Sequence, residues 1–316
     1  MEIKEVSTLG KAVLDEVGKA IVGKRNVSRR VMISILANGH ILFEDFPGLA
    51  KTLMANSFAG ALGCQFRRVQ FTPDLLPADV TGSFVYNRKD GEFVLRKGPV
   101  FTNILLADEI NRAPPKTQSA LLEAMQERQT TLEGKTYRLP EPFIVMATQN
   151  PIEYEGTYPL PEAQVDRFLI RISMGYPEGD EEKEILKRRM MRKKEDVDIQ
   201  PVIDPQKLKE MQLAVENIYL DDAVLDYITA IVKGTREHNQ VDVGASPRGS
   251  LALMKLSRAK AALEGRDYVL PDDVKYVSVS ALSHRIILKP ESWVRGVKPT
   301  SVIKKVIQQT PVPKVK

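Results

Sequence analysis

The sequence predicts an α/β domain with a parallel sheet covered by helices on both faces, followed by a smaller helical domain. Five apolar runs with helical material between several of them predict the sheet. From Asp204 onward the pattern is helical with short breaks. A length of 316 residues also allows two domains of unequal size. We therefore expect an α/β domain at 1–176 and a helical domain at 177–316.

The predicted elements follow from these patterns in chain order. Two helices, at 4–20 and 25–38, open the chain. The apolar runs that predict strands are at 39–44, 65–71, 100–108, 143–149 and 168–174. The helices predicted for the second domain are at 204–215, 221–239, 247–265 and 271–284, with a last one from Pro299 to Gln309.

Two segments depart from the alternation of strands and helices. Short alternating runs on either side of Asp90-Gly91 predict a β-hairpin within an insertion at about 72–98. A second hairpin, at about 129–140, turns at Glu133-Gly134.

The first predicted strand ends in a loop that is typical of a phosphate-binding site. In a strand, tight loop, Lys-Thr and helix arrangement, the loop amides and the helix N-terminus bind phosphates. The Lys51 ammonium would reach the β and γ oxygens, and the Thr52 hydroxyl would hold Mg²⁺. Asp45 and Ala50 stand where the usual pattern has glycine, which leaves Gly48 for an unusual backbone angle. The predicted nucleotide-binding residues here are Asp45, Pro47, Gly48, Leu49, Ala50, Lys51, Thr52 and Leu53.

A second motif lies roughly 50 residues downstream, where another apolar strand ends in two adjacent carboxylates. We expect Asp108 to help hold the hydrated Mg²⁺ and Glu109 to polarise the water that attacks the γ-phosphate. Either motif alone fits an ordinary strand and turn. The two together, in this order and at this spacing, indicate ATP hydrolysis.

The block from Asp108 to Met125 resembles the Walker B region of MoxR-type AAA+ ATPases. Ala147–Pro151 and Glu162–Phe168 resemble later motifs of that family, and Glu-Asp-x-Pro-Gly-x-Ala/Gly-Lys-Thr is its own form of Walker A. The resemblance covers essentially the whole chain. It implies an AAA+ P-loop ATPase with strand order 5-1-4-3-2, in which the two hairpins are a helix-2 insert and a pre-sensor 1 hairpin, and a C-terminal helical lid.

The resemblance also implies roles for further residues. Asn150 would be sensor 1, which holds a water and the γ-phosphate. Arg167 would be an arginine finger on the neighbouring subunit's γ-phosphate, although a local pair with Asp166 or Glu162 is the alternative. Arg248 would be sensor 2, at the start of a helix that Ser246 caps and Pro247 opens. Arg112 would make a contact across the subunit boundary. The adenine ring would lie close to Val22 and Gly23.

Composition limits the partners and the compartment. The 46 basic and 41 acidic residues give a net charge of +5, spread along the chain, which argues against a dedicated nucleic-acid binder. Even the basic stretch Lys187–Lys194 fits a solvated helix end better than a nucleic-acid contact. The single cysteine, Cys64, fits a reducing compartment and reads as a buried hydrophobe. With no apolar segment long enough to span a bilayer, we expect a cytoplasmic protein.

The leading hypothesis is an ATPase with ATP and Mg²⁺ as cofactors that forms a homo-hexameric ring and remodels other proteins. The family resemblance implies a chaperone-like role in maturation, or in metal or cofactor insertion, with a protein client or a partner carrying a von Willebrand factor A domain. Three alternatives remain open at this point. They are a nucleic-acid motor, a nucleotide-gated scaffold that barely turns over ATP, and a chelatase-type motor subunit.

Overall fold

The computed structural model describes residues 1–89, 91–151 and 156–313. Asp90, at the predicted turn of the first hairpin, lies outside the described residues, as do 152–155 and 314–316. The strands are β1 Ile41–Glu44, β2 Phe66–Gln70, β3 Gly82–Asn87, β4 Glu92–Lys97, β5 Ile104–Asp108, β6 Gln129–Leu132, β7 Lys135–Arg138, β8 Ile144–Gln149, β9 Ile170–Ile172, β10 Val241–Val243 and β11 Ile287–Leu288.

Helices separate most of the strands of the main sheet and dominate the chain after β9. They are α1 Ile3–Ala20, α2 Arg25–Leu36, α3 Lys51–Ala61, α4 Pro77–Thr81, α5 Pro115–Glu127, α6 Glu162–Val165, α7 Gly179–Arg192, α8 Pro205–Glu216, α9 Asp222–Glu237, α10 Pro247–Leu263, α11 Pro271–Leu282, α12 Pro290–Val294 and α13 Pro299–Gln309. A 3₁₀ turn, Ile110–Arg112, follows β5.

The main sheet has five parallel strands in the order β2-β5-β8-β1-β9. Counting only these five strands along the chain, the order is 2-3-4-1-5, which confirms the predicted 5-1-4-3-2 arrangement. Because the strands are parallel, all of them end at one edge of the sheet, here called the carboxyl edge. Their first residues lie at the opposite, amino edge. Register brings Gln70 beside Asp108 and Glu44 beside Gln149 at the carboxyl edge.

Alternating side chains of the strands build two apolar cores, one on each face of the sheet. Ile41 and Phe43 belong to the first core, whereas Leu42 belongs to the second. The first core continues into the helices that follow residue 204, so the predicted domain division at 176/177 remains a prediction. Cys64 is buried in that core, and burial raises the pKa of its thiol to about 12, which confirms its interpretation as a small hydrophobe.

Both predicted hairpins are present as two-stranded ribbons, β3–β4 and β6–β7. They touch at their bases, where the rings of Phe84 and Tyr137 are 6.5 Å apart. Beyond that contact the first ribbon carries Tyr86 and Phe93 side by side, with ring centroids 5.3 Å apart. Among the described helices, none is both long and apolar enough to cross a membrane.

Two buried histidines make the stability of the fold depend on pH. His40 Nδ1 accepts from the Val145 amide at 3.0 Å and Nε2 is 3.0 Å from the Met125 carbonyl oxygen, so the ring is neutral. Burial lowers the pKa of His40 to about 3 and the pKa of His284 well below its usual value. Below pH 6.5 the unfolded chain therefore binds protons that the folded chain does not. As a result, the free energy of unfolding decreases as the pH is lowered.

We predict that the free energy of unfolding drops by about 1–3 kcal/mol between pH 7.5 and 5.5 because of these two rings. Urea unfolding at the two pH values measures this drop. The variant His40→Gln offers the same kind of acceptor and donor without titrating, so it should show a smaller drop. An equal drop in the variant and the unchanged chain would contradict the role assigned to His40.

Candidate active site

The loop after β1 has the backbone shape of a phosphate-binding site. Gly48 and Ala50 both adopt positive φ, at 80° and 57°, and α3 begins directly at Lys51. For Ala50 this left-handed conformation costs about 1–2 kcal/mol, which the surrounding fold must offset. A Cβ atom added to Gly48 would meet nothing within 4 Å, so there is open space beside the loop. The loop thus presents the N-terminus of an 11-residue helix to that space.

Lys51 is half-buried among the carboxylates of the site. Its Nζ donates to the Asp45 carbonyl oxygen at 2.7 Å. Burial lowers the pKa of Lys51, and the negative charges of Asp45, Asp108 and Glu109 oppose that shift. The fold therefore brings the residues of both predicted motifs together around one ammonium group.

The Asp45 side chain is buried and bonded within its own chain, and the expectation that Asp45 binds nucleotide stays a prediction. Its Oδ2 accepts from the Ser173 hydroxyl at 3.0 Å, from the Gly175 amide at 2.9 Å and from the Met174 amide. Asp45 thereby fastens the loop to the segment that leaves β9. Leu49 is buried in the first core. Asp45 and Leu49 therefore both anchor the loop to the rest of the fold.

Asp108 is buried at the carboxyl edge, and both of its carboxylate oxygens accept hydrogen bonds. Thr148 Oγ1 donates to Oδ1 at 2.6 Å. Arg68 donates to Oδ2 twice, from Nε at 3.0 Å and from Nη2 at 2.6 Å. Neighbouring strands supply the two donors, Thr148 from β8 and Arg68 from β2.

Glu109 adopts a positive φ of 56°, an uncommon conformation for a residue with a side chain. Its amide donates to Thr148 Oγ1 at 2.8 Å. On the carboxylate, Oε2 accepts from Gln70 Nε2 at 2.6 Å and lies 3.2 Å from Arg112 Nε. Arg112, predicted at the subunit boundary, thus has a partner in its own chain. These contacts hold the carboxylate in one position, as a group that orients a water requires.

These residues fit magnesium and a nucleoside triphosphate. The donor set combines an ammonium group, a helix N-terminus, a hydroxyl and a carboxylate, and open space lies beside Gly48. Magnesium is commonly bound through one or two protein oxygens together with substrate phosphates. Thr52 and Asp108 are the oxygen donors predicted for it. Pro47, in the loop before Lys51, and Leu53, in the first turn of α3, are both exposed.

Asn150 follows β8 at the carboxyl edge, and its carbonyl oxygen accepts from Asn111 Nδ2 at 3.4 Å. Val22 and Gly23 lie in the turn between α1 and α2 and line a cavity of about 900 Å³ between α1 and α7. Lys51 does not line that cavity. Tyr176 links this turn to the phosphate-binding loop. Lys24 donates to the Tyr176 carbonyl oxygen, and the ring centroids of Tyr176 and Phe46 are 6.0 Å apart.

Arg167 and Arg248 lie together in a separate cavity of about 490 Å³. Its lining includes Gly39 and His40, which precede β1, and Leu169, which precedes β9. The cavity therefore lies at the amino edge, about 15 Å of strand away from Lys51. Lys51, Thr52, Asp108 and Glu109 do not line this cavity.

This second cavity is rich in positive charge. Its charged lining residues are Arg128, Asp166, Arg167, Arg248, Lys255 and Arg285. Arg248 Nη1 lies 3.4 Å from Asp166 Oδ2, and its helix is capped by Ser246 as predicted. Arg167 Nη1 donates to the Leu122 carbonyl oxygen at 3.0 Å, so it makes neither of the local ion pairs considered above. Within the described part of the chain, the buried Arg167 Nε has no hydrogen-bond partner.

Sequence reasoning missed three side chains that contact the two carboxylates predicted to be catalytic, namely Arg68, Gln70 and Thr148. A signal was present, because strands of a parallel sheet end at the same edge. The run 65–71 carries polar residues at 68 and 70, at the end of the second predicted strand. Polar residues near the end of a strand beside Asp108 are candidates to contact it.

Comparison with known proteins agrees with this geometry. Residues 40–170 match the family described as ATPase family associated with various cellular activities (AAA), and residues 233–306 match the AAA lid domain. The chain is 49% identical to the YeaC protein of Bacillus subtilis, covering 96% of this chain and 95% of YeaC. It is 44% identical to the chaperone MoxR1 of Mycobacterium tuberculosis, covering 98% of this chain and 84% of MoxR1.

A crystal structure of a Cytophaga hutchinsonii protein superposes with a TM-score of 0.91 at 42% identity, covering 98% of this chain and 96% of that one. Magnesium-chelatase subunits are more distant, at 26–27% identity over 59–68% of this chain. The chelatase alternative therefore has weaker support than the MoxR resemblance.

Proposed function

Because the chain belongs to the MoxR family of AAA+ ATPases and hydrolyses ATP, we propose that it is a ring-forming, chaperone-like machine that remodels partner proteins. A relative at 44% identity over nearly the whole chain is named a chaperone, which supports this role. The proposal includes a homo-hexamer, a cytoplasmic location and a protein client or a partner with a von Willebrand factor A domain. Maturation of the partner, with or without metal or cofactor insertion, would be the outcome.

The residues around Lys51 have separate roles in the proposed reaction. Lys51 and the loop amides bind the phosphates, while Thr52 and Asp108 hold the magnesium ion. A magnesium ion held by these two residues would supply positive charge to the phosphates. Glu109 orients the attacking water, and the Asn150 amide bonds to the same water and to the γ-phosphate. Most of the rate increase then comes from positioning and charge rather than from covalent chemistry.

The observation that carries the proposal of a ring is the location of Arg167 and Arg248. Both line a cavity at the amino edge of the sheet, and Lys51 and Glu109 do not line it. In a ring of identical subunits, a head-to-tail contact places the amino edge of one subunit against the carboxyl edge of the next. The cationic cavity would then receive the neighbour's phosphates, and each active site would need two subunits.

The β3–β4 ribbon is the surface that we propose for contact with client proteins. Tyr86 and Phe93 are 52% and 68% exposed, and Val85 and Val94 are each 44% exposed on the opposite face of the ribbon. Exposed aromatic and aliphatic side chains on a protruding ribbon suit a protein surface. Phosphate-backbone binding instead needs rows of Lys and Arg, and here Glu92 interrupts the cations of the ribbon.

We predict that a natively unfolded protein such as casein stimulates ATP hydrolysis by this chain. DNA, single- or double-stranded, should give no stimulation at physiological salt. The double variant Tyr86→Ser with Phe93→Ser should keep the basal rate and lose the stimulation, because it removes exposed rings that support no core. Phosphate release with and without each polymer measures both effects.

Phe84 provides the matched comparison, since its ring lies against Tyr137 at the base of the ribbon. Phe84→Ser should therefore disturb the ribbon itself, visible as protease sensitivity within 82–97, whereas the exposed pair should not. Several-fold stimulation by DNA that disappears when Arg88 and Lys89 are changed to Gln would show that the chain is a nucleic-acid motor instead.

A further inference from the structure

Arg68 makes an ion pair that hydrolysis chemistry does not require. Its Nε and Nη2 both donate to Asp108 Oδ2, at 3.0 and 2.6 Å, and so place a positive charge on the carboxylate assigned to magnesium. The other oxygen of Asp108 accepts from Thr148. A guanidinium group with two bonds to one carboxylate oxygen is a strong counter-ion. Arg68 and a metal ion therefore compete for the same oxygen.

The same arginine is connected to the second carboxylate of the site. Arg68 Nη2 also donates to Gln70 Oε1 at 2.9 Å, and Gln70 Nε2 donates to Glu109 Oε2 at 2.6 Å. Residues two apart on a strand point to the same face, so β2 presents both side chains to the end of β5. Strand β2 thus restrains both Asp108, which is assigned to magnesium, and Glu109, which is assigned to the attacking water.

Exposure indicates which member of the ion pair can move. The Arg68 side chain is 49% exposed, whereas the Asp108 side chain is only 13% exposed. Swinging Arg68 into solvent leaves no buried cation behind, but Asp108 without a cation would be a nearly buried, uncompensated charge. The carboxylate therefore stays in place and needs a replacement cation when Arg68 leaves.

We propose that Arg68 is the resting-state counter-ion of Asp108 and gives up that carboxylate when magnesium is bound with the nucleotide. This inference rests on the proposed nucleotide site and adds a mode of regulation to it. Arg68 raises the magnesium concentration that the site needs and leaves binding of metal-free nucleotide unchanged. Its departure also frees Gln70 Oε1, so metal binding is communicated to the side chain that holds Glu109.

The test measures binding rather than turnover. A fluorescent ATP analogue that cannot be hydrolysed is titrated in EDTA and then at rising Mg²⁺ concentrations, and Mn²⁺ binding is followed by electron paramagnetic resonance. Arg68→Gln should lower the Mg²⁺ and Mn²⁺ concentrations for half-saturation by about three- to tenfold, the range for a partly exposed charged hydrogen bond. Affinity in EDTA should not change.

Arg67→Gln is the matched control, because it removes the same charge one residue away and on the other face of β2. Arg67 makes no hydrogen bond or ion pair with any residue that the structure describes, so this variant should match the unchanged chain. Arg68→Lys keeps the charge with fewer bonds and should fall between the unchanged chain and Arg68→Gln. Circular dichroism confirms that the variants are folded.

The outcomes separate the two levels of the proposal. If the unchanged chain and Arg67→Gln fail to bind the analogue with Mg²⁺, the proposed nucleotide site is wrong. If both bind but Arg68→Gln needs the same or more magnesium, Arg68 is not a competing counter-ion. A higher requirement would mean that Arg68 positions Asp108 for the metal, which also overturns the inference.

Discussion

Glu109→Gln should bind ATP as tightly as the unchanged chain and hydrolyse it at least about 100-fold more slowly. The amide has the shape of the carboxylate and can still bond to Gln70, which donates to Glu109 Oε2 at 2.6 Å. It cannot accept a proton from the attacking water, so positioning survives while activation is lost. Calorimetric binding and phosphate release measure the two effects separately.

A matched control is Glu291→Gln, which changes an exposed carboxylate on α12 that makes no side-chain hydrogen bond to the described residues. It should leave both measurements unchanged. Lys51→Ala differs from Glu109→Gln in that it should lose ATP binding itself, because it removes the ammonium group that lies among the carboxylates of the site. Hydrolysis at the unchanged rate by Glu109→Gln would show that another group positions the water.

The sequence predicts the fold and places the candidate catalytic carboxylates together with Lys51, because both leave strong local signals. Apolar runs of strand length mark the five sheet strands, and each motif follows one of them directly along the chain. Predicting these residues, which are Lys51, Thr52, Asp108 and Glu109, therefore did not require knowing which strands are neighbours in the sheet. Caps are equally local, as the bond from the Arg248 amide to Ser246 Oγ shows.

Contacts between strands could not be predicted in the same way. Arg68 and Asp108 are 40 residues apart, and their ion pair depends on the register of β2 against β5. A shift of one residue would turn Arg68 to the other face of the sheet. Asp45 has the same difficulty, because its three donors come from residues 173–175, about 130 residues downstream.

The family pattern assigned Arg167 and Arg248 to phosphate contacts, but only the fold shows that they share one cavity. Asp166, the chain neighbour of Arg167, holds two other arginines of the cavity: Arg248 pairs with its Oδ2, and Arg285 Nε donates to its Oδ1 at 2.8 Å. The arrangement brings the segment before β9 next to the start of α10 and the residues that follow α11. The segment before β9 is far from the other two along the chain. No local pattern encodes a site of this kind.

Arg167→Ala should bind ATP normally and lose hydrolysis by at least about 100-fold if its guanidinium group acts on the neighbour's nucleotide. Binding survives because the arginine lies at the amino edge, away from Lys51 of its own chain. Arg295→Ala is the control, since this exposed arginine of the lid has no side-chain partner among the described residues. The activity of the unchanged chain should also rise with protein concentration as rings assemble.

Mixing two inactive variants tests directly whether one active site uses two subunits. Arg167→Ala subunits keep Lys51 and Glu109, and Glu109→Gln subunits keep Arg167. In randomly mixed rings at equal amounts, about a quarter of the subunit contacts combine an intact Glu109 with a neighbour's intact Arg167. We therefore expect about a quarter of the unchanged activity, from two proteins that are each inactive alone. Replacing Arg167→Ala by the double variant Arg167→Ala with Glu109→Gln removes every intact site and should abolish the rescue. Absence of rescue from subunits that do form mixed rings would mean that Arg167 acts within its own chain, which its position at the amino edge argues against.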